Sequence, residues 1–415
     1  MPKTVLLVGA MDTKGEDFAF VKQLIEQQGV KTLVVDFGIL GDPVGIIPDI
    51  PHSEVAKAGG GDIVTMQAEH KKDYCMETMS KGLAAVARKL CDEGKIDGVL
   101  GMAGSGGTSI ATAAMRALPV GLPKIMVSTV ASEDVSAYVG TKDIMMFPSI
   151  VDVAGLNRIS KLIYSNAAGA IAGAVKQERP KIDDSRPFIT ASMFGNTTVA
   201  VDRAKKQLEE KGYEVPVFHA TGTGGMVMEG LIDDGLVNAN FDFTTTELAD
   251  FVTGGVMSAG PDRLMAAART GIPTIIVPGC VDMANFWGVE TMPPKYHDRK
   301  LYKWNPNVTL MRTNVEENIK IGEIIARAAN AHTSDKVTIL LPLKGVSMLD
   351  SVGGEFWDPA ANQACFDTIK KLVKPGIKVI EIDANINEPV FVDKTVEVLL
   401  AMIERAGSKA KHSAV

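Results

Sequence analysis

Along the chain, short continuous apolar runs alternate with longer stretches in which apolar residues recur at helical spacing. Thr4-Val5-Leu6-Leu7-Val8 is followed by Gly9 to Gly15, a helical pattern from Phe18 to Gln28, Gly29, and a second run from Lys31 to Val35. Runs apolar at every position are buried on both faces, the mark of parallel strands covered by helices. The order therefore predicts a βαβ opening. A second unit of the same kind runs from a helix over Thr78 to Asp92, through a strand at Gly98 to Gly101 and a helix at Ser109 to Leu118, to a strand at Lys124 to Ser128.

The pattern breaks between Lys176 and Pro187, a charged stretch with two prolines, and then restarts. A strand at Phe188 to Ala191 leads to a helix at Val199 to Lys211, a strand at Val215 to His219 and a Gly-rich turn. Gly254-Gly255, Pro261 to Thr270 and Thr274 to Val277 echo Gly106-Gly107, the helix behind them and Lys124 to Ser128. The halves read as divergent copies. The expected fold is α/β, with two doubly wound, mostly parallel Rossmann-like domains in tandem and an interdomain cleft. The boundaries are 1–180 for an N-terminal nucleotide-binding domain, 181–406 for a C-terminal Rossmann-like domain, and 407–415 for a disordered tail.

Composition adds exclusions. A length of 415 residues exceeds one core and suits roughly two to three domains. The net charge of −7 opposes nucleic acid or an anionic bilayer as the main partner, since both call for clustered Lys and Arg. No apolar run approaches the ~18 residues that span a membrane. The first residues lead straight into a strand without a signal pattern, so a cytoplasmic location is expected. The 4 cysteines are scattered without a CxxC pair and read as reduced, buried or half-buried thiols. The 6 histidines show no zinc spacing.

Candidate chemistry gathers where strands turn into helices. Gly104-Ser105-Gly106-Gly107-Thr108 joins a buried strand to a helix, where backbone N–H groups and the helix dipole favour an anion. Thr108 is placed either to donate to a ligand or to cap the helix. Thr221-Gly222-Thr223-Gly224-Gly225 repeats this logic, so Gly222, Thr223, Gly224 and Gly225 form a second candidate cradle. Neither turn has Walker spacing. At the end of the first strand, Gly9, Asp12, Thr13 and Lys14 offer a carboxylate for magnesium or a hydroxyl and an ammonium for phosphate; turn and surface roles are the alternative. Asp36 stands where an acidic side chain meets ribose hydroxyls in mononucleotide folds. Thr129 and Ser132 follow another strand, in a segment that could equally cap a helix. Glu229, Glu247 and Asp282 are candidate general bases, and Lys14 a charge-balancing catalytic group.

Several of these segments resemble the Tm-1-like ATP-binding family, also called UPF0261, which includes the N-terminal region of a tomato tobamovirus-resistance protein. They are Val8 to Glu16, Gly104 to Thr108, Ser128 to Ser132, Asp152 to Asn157, Pro278 to Asp282, Leu343 to Ser347 and Glu388 to Phe391. The resemblance covers nearly the whole chain. It implies ATP and Mg2+ as cofactors and a homodimer. The expected function is then a nucleotide-binding protein acting as an enzyme on a small anionic substrate in the cleft; a nucleotide-responsive interaction module, or an ATP-independent lyase or hydrolase of a small carboxylate, is the alternative.

Overall fold

The structure is a computed structural model that describes residues 2–69, 71–178 and 186–412. It divides into two compact units, Met1–Lys181 and Ile182–Val415. The centre of the charged stretch expected to link the domains, around Lys181, lies outside the described residues. Among the described residues no helix is long and apolar enough to cross a membrane.

Unit 1 contains β1 (Thr4–Gly9), α1 (Met11–Gln27), β2 (Lys31–Asp36), α2 (His52–Ala58), α3 (Ile63–Glu69), α4 (Lys72–Asp92), β3 (Gly98–Ala103), α5 (Ser105–Ala117), β4 (Lys124–Ser128), α6 (Ser136–Val139), β5 (Met145–Pro148) and α7 (Arg158–Lys176). The strands form one parallel sheet in the order β2-β1-β3-β4-β5. Alternate residues of each strand feed opposite cores. Leu6, Val8 and Val99 pack with Met79, Leu83, Ile110 and Met115 of α4 and α5. Val5, Leu7 and Leu100 pack with Phe18, Val21, Tyr164 and Ile171 of α1 and α7. Helices on both faces explain why these strands are apolar throughout. Strand order reverses between β1 and β3, and there the carboxyl ends of the strands open a crevice.

Unit 2 contains β6 (Ile189–Met193), α8 (Thr198–Glu210), β7 (Val217–His219), α9 (Thr223–Asp233), β8 (Ala239–Asp242), α10 (Glu247–Thr253), α11 (Ala266–Thr270) and β9 (Thr274–Ile276). It continues through β10 (Met283–Phe286), β11 (Leu301–Asn305), β12 (Val308–Arg312), α12 (Val315–Ala331), β13 (Val337–Pro342), α13 (Pro359–Leu372), β14 (Lys378–Ile382) and α14 (Pro389–His412). Six strands form a parallel sheet, β14-β13-β9-β8-β6-β7. Counted from β6, its first five strands follow the 2-1-3-4-5 order of unit 1.

Three features depart from the sequence reading. Strand β8 was not anticipated because its polar residues are buried rather than solvated: Asn240 accepts from Thr190 Oγ1 at 3.0 Å and Asp242 from Ser192 Oγ at 2.7 Å. Strands β10, β12 and β11 form a separate antiparallel sheet beside the parallel one. Helix α14 runs past Gly407 to His412, where a disordered tail was expected; no proline follows Gly407 to stop it.

Candidate functional site

Three helices of this protein begin directly at glycine-bearing strand ends, and their N-termini differ in what satisfies them. The N–H groups of a helix's first turn have no partner within the helix and need one from elsewhere. In α1, α5 and α9 the candidate glycines or their neighbours form that first turn, so the helices start earlier than their apolar periodicity suggests.

At α1 the partner is Asp36. This residue is fully buried, and its Oδ1 accepts from the N–H groups of Met11 at 2.9 Å and Gly38 at 2.8 Å. Its Oδ2 lies 3.1 Å from His52 Nδ1. Burial pushes its carboxyl above the usual range. The ribose role expected for Asp36 does not suit its position: both oxygens are enclosed by protein, and Oδ1 is committed to the N–H groups of Met11 and Gly38. Gly9 serves packing, since a Cβ there would lie 2.2 Å from the Phe18 ring.

Asp12 braces the following loop. Its Oδ2 accepts from Leu40 N–H at 2.7 Å, and its carboxylate lies against Gly38. Its Oδ1 is buried without a hydrogen-bond partner. Among the described residues no group of three or more His, Cys, Asp or Glu side chains is disposed to hold a metal. Lys14 Nζ donates to Val153 O, and Thr13 is exposed.

At α9 the partner is Glu247. Its Oε1 accepts from Gly222 N–H at 2.8 Å and Gly225 N–H at 3.0 Å. Its Oε2 accepts from Arg263 Nε at 2.6 Å. Arg263 is almost fully buried and also binds Asp242, at 2.6 Å to Oδ1, and Glu229, at 3.1 Å. Glu229 in turn accepts from Leu264 and Ala266 N–H, each at 2.7 Å. Burial pushes the carboxyls of Glu229 and Glu247 upward against the pull of Arg263. The second cradle is thus filled by the chain's own carboxylate, which corrects Gly222 and Gly225 as phosphate binders. A Cβ at Gly224 would lie 1.8 Å from His219 O, so that glycine permits close backbone packing. Thr223 is exposed beside a cradle already closed. Glu229 and Glu247 are committed to this ion knot rather than free as bases.

At α5 no anion among the described residues takes the place. Gly104 is the N-cap, no side chain caps the helix, and its first turn carries no acid. The helix's first i to i−4 bond is Thr108 N–H to Gly104 O at 2.9 Å, so the N–H groups of Ser105, Gly106 and Gly107 precede it. A Cβ at Gly106 would meet nothing nearer than Met76 Cε at 3.9 Å, and one at Gly104 nothing nearer than Thr129 Oγ1 at 3.8 Å. Gly107 is needed for packing, because its Cβ would lie 2.6 Å from that of Ala103. Thr108 is neither cap nor ligand donor: it is buried and joins the helix to β4 through Gly104 O at 2.9 Å and Ser128 Oγ at 2.7 Å. Exposed Thr129 and Ser132, with Ser149, Ile150 and Asp152, line a groove of about 560 Å3 at the ends of β4 and β5. Ile150 holds φ 64°, a strained value for a β-branched residue.

Asp282 is fully buried and accepts from Ser347 Oγ at 2.9 Å. Burial and the neighbouring Asp350 push its carboxyl up to about 7. Cys280 is buried with φ 57°, and burial raises its thiol, so it is not a poised nucleophile. His219 stacks on Phe194 at 5.3 Å, and burial lowers its pKa. The residues that organise unit 2, Arg263, Arg312 and Asp350, belong to no recognisable motif, and only the fold reveals their burial.

Two parallel sheets of one strand order, each with polar residues at its strand ends, define a tandem α/β protein of the doubly wound type. The chain belongs to the UPF0261 family: residues 3–180 match "Uncharacterised protein family (UPF0261) N-terminal domain" and 186–403 its C-terminal domain. A UPF0261 protein of Clostridium tetani is 46% identical over 98% of this chain and 100% of its own. A UPF0261 protein of Rhizobium meliloti is 42% identical over 95% and 98%. The ToMV susceptible protein tm-1(GCR26) of Solanum lycopersicum is 34% identical over 97% of this chain, which spans 56% of that protein. Among solved structures, UDP-N-acetylglucosamine 2-epimerase from Rickettsia bellii aligns over 66% of this chain and 79% of its own at 11% identity. Its TM-score of 0.24 is too low to bear on function.

Proposed function

We propose that this protein binds a nucleoside triphosphate, ATP with magnesium, with its phosphates over the N-terminus of α5. One observation carries the reading: of the three helix starts, α1 is closed by Asp36 and α9 by Glu247, whereas α5 keeps the N–H groups of Ser105, Gly106 and Gly107 and the space above Gly104 and Gly106. Phosphate is the ligand suited to such a place beside a strand-order switch. Thr129 and Ser132 supply hydroxyls at the adjoining groove. Lys14 uses one of its three protons on Val153 O and keeps two as donors. Magnesium would arrive with the phosphates and screen their charge. Glu229, Glu247 and Asp282 are all held in buried contacts of unit 2, which favours a nucleotide-responsive binding module over phosphoryl transfer.

The test is calorimetric titration of ATP with magnesium into the wild type and Gly106→Val. The expected outcome is saturable wild-type binding, weakened at least tenfold in the variant, whose new side chain occupies the phosphate approach. Equal affinities in the two proteins, or no heat at millimolar ATP, would overturn the assignment.

A further inference from the structure

The polar groups around Asp282 are not electrically balanced. Two fully buried carboxylates, Asp282 and Asp350, face one guanidinium, that of Arg312, which lies 3.5 Å from Asp350. Asp350 is well supplied, accepting from Val346 N–H at 2.9 Å and Asn362 Nδ2 at 2.6 Å. Arg312 spends most of its protons on neutral oxygens: Phe356 O at 2.7 Å, Asn362 Oδ1 at 2.8 Å and Thr313 at 3.0 Å. Asp282 has one side-chain hydrogen bond, from Ser347 at its Oδ2, and its Oδ1 has none. A buried carboxylate oxygen left in this state is costly by several kcal/mol.

A second partnerless oxygen belongs to a residue that touches the chain neighbours of Asp282 and Ser347. Asn196 is 2% exposed and its Oδ1 has no hydrogen-bond partner. Its Nδ2 reaches Met283 Sδ at 3.5 Å, one residue from Asp282. Its carbonyl accepts from Met348 N–H at 3.2 Å, one residue from Ser347, and from Asn387 Nδ2 at 3.0 Å. The Oδ1 of Asn387 is partnerless too. The orphaned atoms of this cluster are thus all oxygens, two from amides and one from a carboxylate, and what they lack is a donor or a cation. Asn196, Thr197, Cys280, Asp282 and Ser347 are all at most 2% exposed, so nothing as large as an organic molecule has access to them. The backbone here is also constrained: Cys280 has φ 57°, and a Cβ on Gly345, at φ 118°, would lie 1.6 Å from Asp350 O. Hard oxygen donors with a single unmatched carboxylate suit a monovalent cation, whereas a divalent ion calls for more anionic ligands than the described residues offer.

We propose that unit 2 binds one small monovalent cation, such as potassium, sodium or ammonium, at Asp282 Oδ1 with the amide oxygens of Asn196 and Asn387.

The experiment is the thermal midpoint of the full chain at pH 8 in chloride salts of potassium, sodium, lithium, ammonium and choline at equal ionic strength. A saturable rise of several degrees with one of the small cations over choline is expected, because an ion bound only by the folded state stabilises it by mass action. Asp282→Asn should abolish that dependence and raise the midpoint in choline; Asn196→Ala should weaken it. Identical midpoints in all five salts would overturn the proposal by assigning the place to water or a proton. So would a cation effect that persists in folded Asp282→Asn, or one seen only with magnesium or calcium. If Asp282→Asn does not fold, the wild-type salt series and Asn196→Ala still decide.

Discussion

Glu247 occupies the anion cradle of Gly225: its Oε1 accepts the Gly225 N–H at 3.0 Å, and a Cβ at that glycine would lie 2.2 Å from Oε2. The contrast with Gly106, whose missing Cβ has open space around it, separates a glycine required by the protein's own carboxylate from one that no neighbouring protein atom requires.

Gly225→Ala is therefore expected to destabilise the protein by about 1–3 kcal/mol, the usual cost of forcing atoms into a filled interior. Gly106→Ala should be neutral or stabilising by up to about 1 kcal/mol, because alanine is the better helix former. Urea midpoints of the two variants test this. A Gly225→Ala protein as stable as wild type would mean that Glu247 can leave the cradle freely.

Arg263 holds Asp242, Glu247 and Glu229 together. Arg263→Met, similar in volume, should cost about 3–5 kcal/mol by leaving buried carboxylates uncompensated. Lowering the pH to 5 should restore part of the loss as the acids take up protons. Denaturation at pH 5 and pH 8 measures both; a variant equally damaged at the two values would indicate packing rather than charge.

Burial pushes Asp250 up to about 7, against about 3.9 in an unfolded chain. The folded state then binds more protons between these values, so this contribution to stability is present at low pH and is lost as pH rises through 7. His332, lowered by burial to about 4, acts oppositely, but only below about 6.5. Between pH 6.5 and 8 stability should therefore fall, on the order of 1 kcal/mol from Asp250 alone. Urea midpoints across that interval check the slope, and a rise would contradict it.

Cys75, Cys280 and Cys365 are buried and Cys91 is half-buried, its thiol raised by burial. A thiol reagent at pH 8 should modify no more than Cys91 in the native protein, and all 4 cysteines in denaturant. Rapid native modification of two or more would show that the cores open readily.

Much of the architecture is local and was legible. The apolar runs at Thr4 to Val8, Lys124 to Ser128 and Thr274 to Val277 became the parallel strands β1, β4 and β9, because a strand covered on both faces is apolar along most of its length. The turns at Gly104 and Gly222 were legible too, since clustered glycines between a strand and a helix mark a turn. Strand β8 was hidden, as Asn240 and Asp242 look solvated until Thr190 and Ser192 are seen to pair with them from 50 residues away.

The candidate site divides along the same line. Residue type and position at a strand end sufficed to nominate Asp36 and the three turns, and residue type alone nominated Glu247. Which turn stays open was decided by tertiary structure alone, because it depends on whether a carboxylate from a distant segment reaches the helix start: Asp36 reaches Met11 across 25 residues and Glu247 reaches Gly225 across 22. Arg263, Arg312 and Asp350 follow the same physics. A charged side chain reads as a surface residue in a linear chain, and only the fold's removal of water turns it into the partner that a buried opposite charge requires.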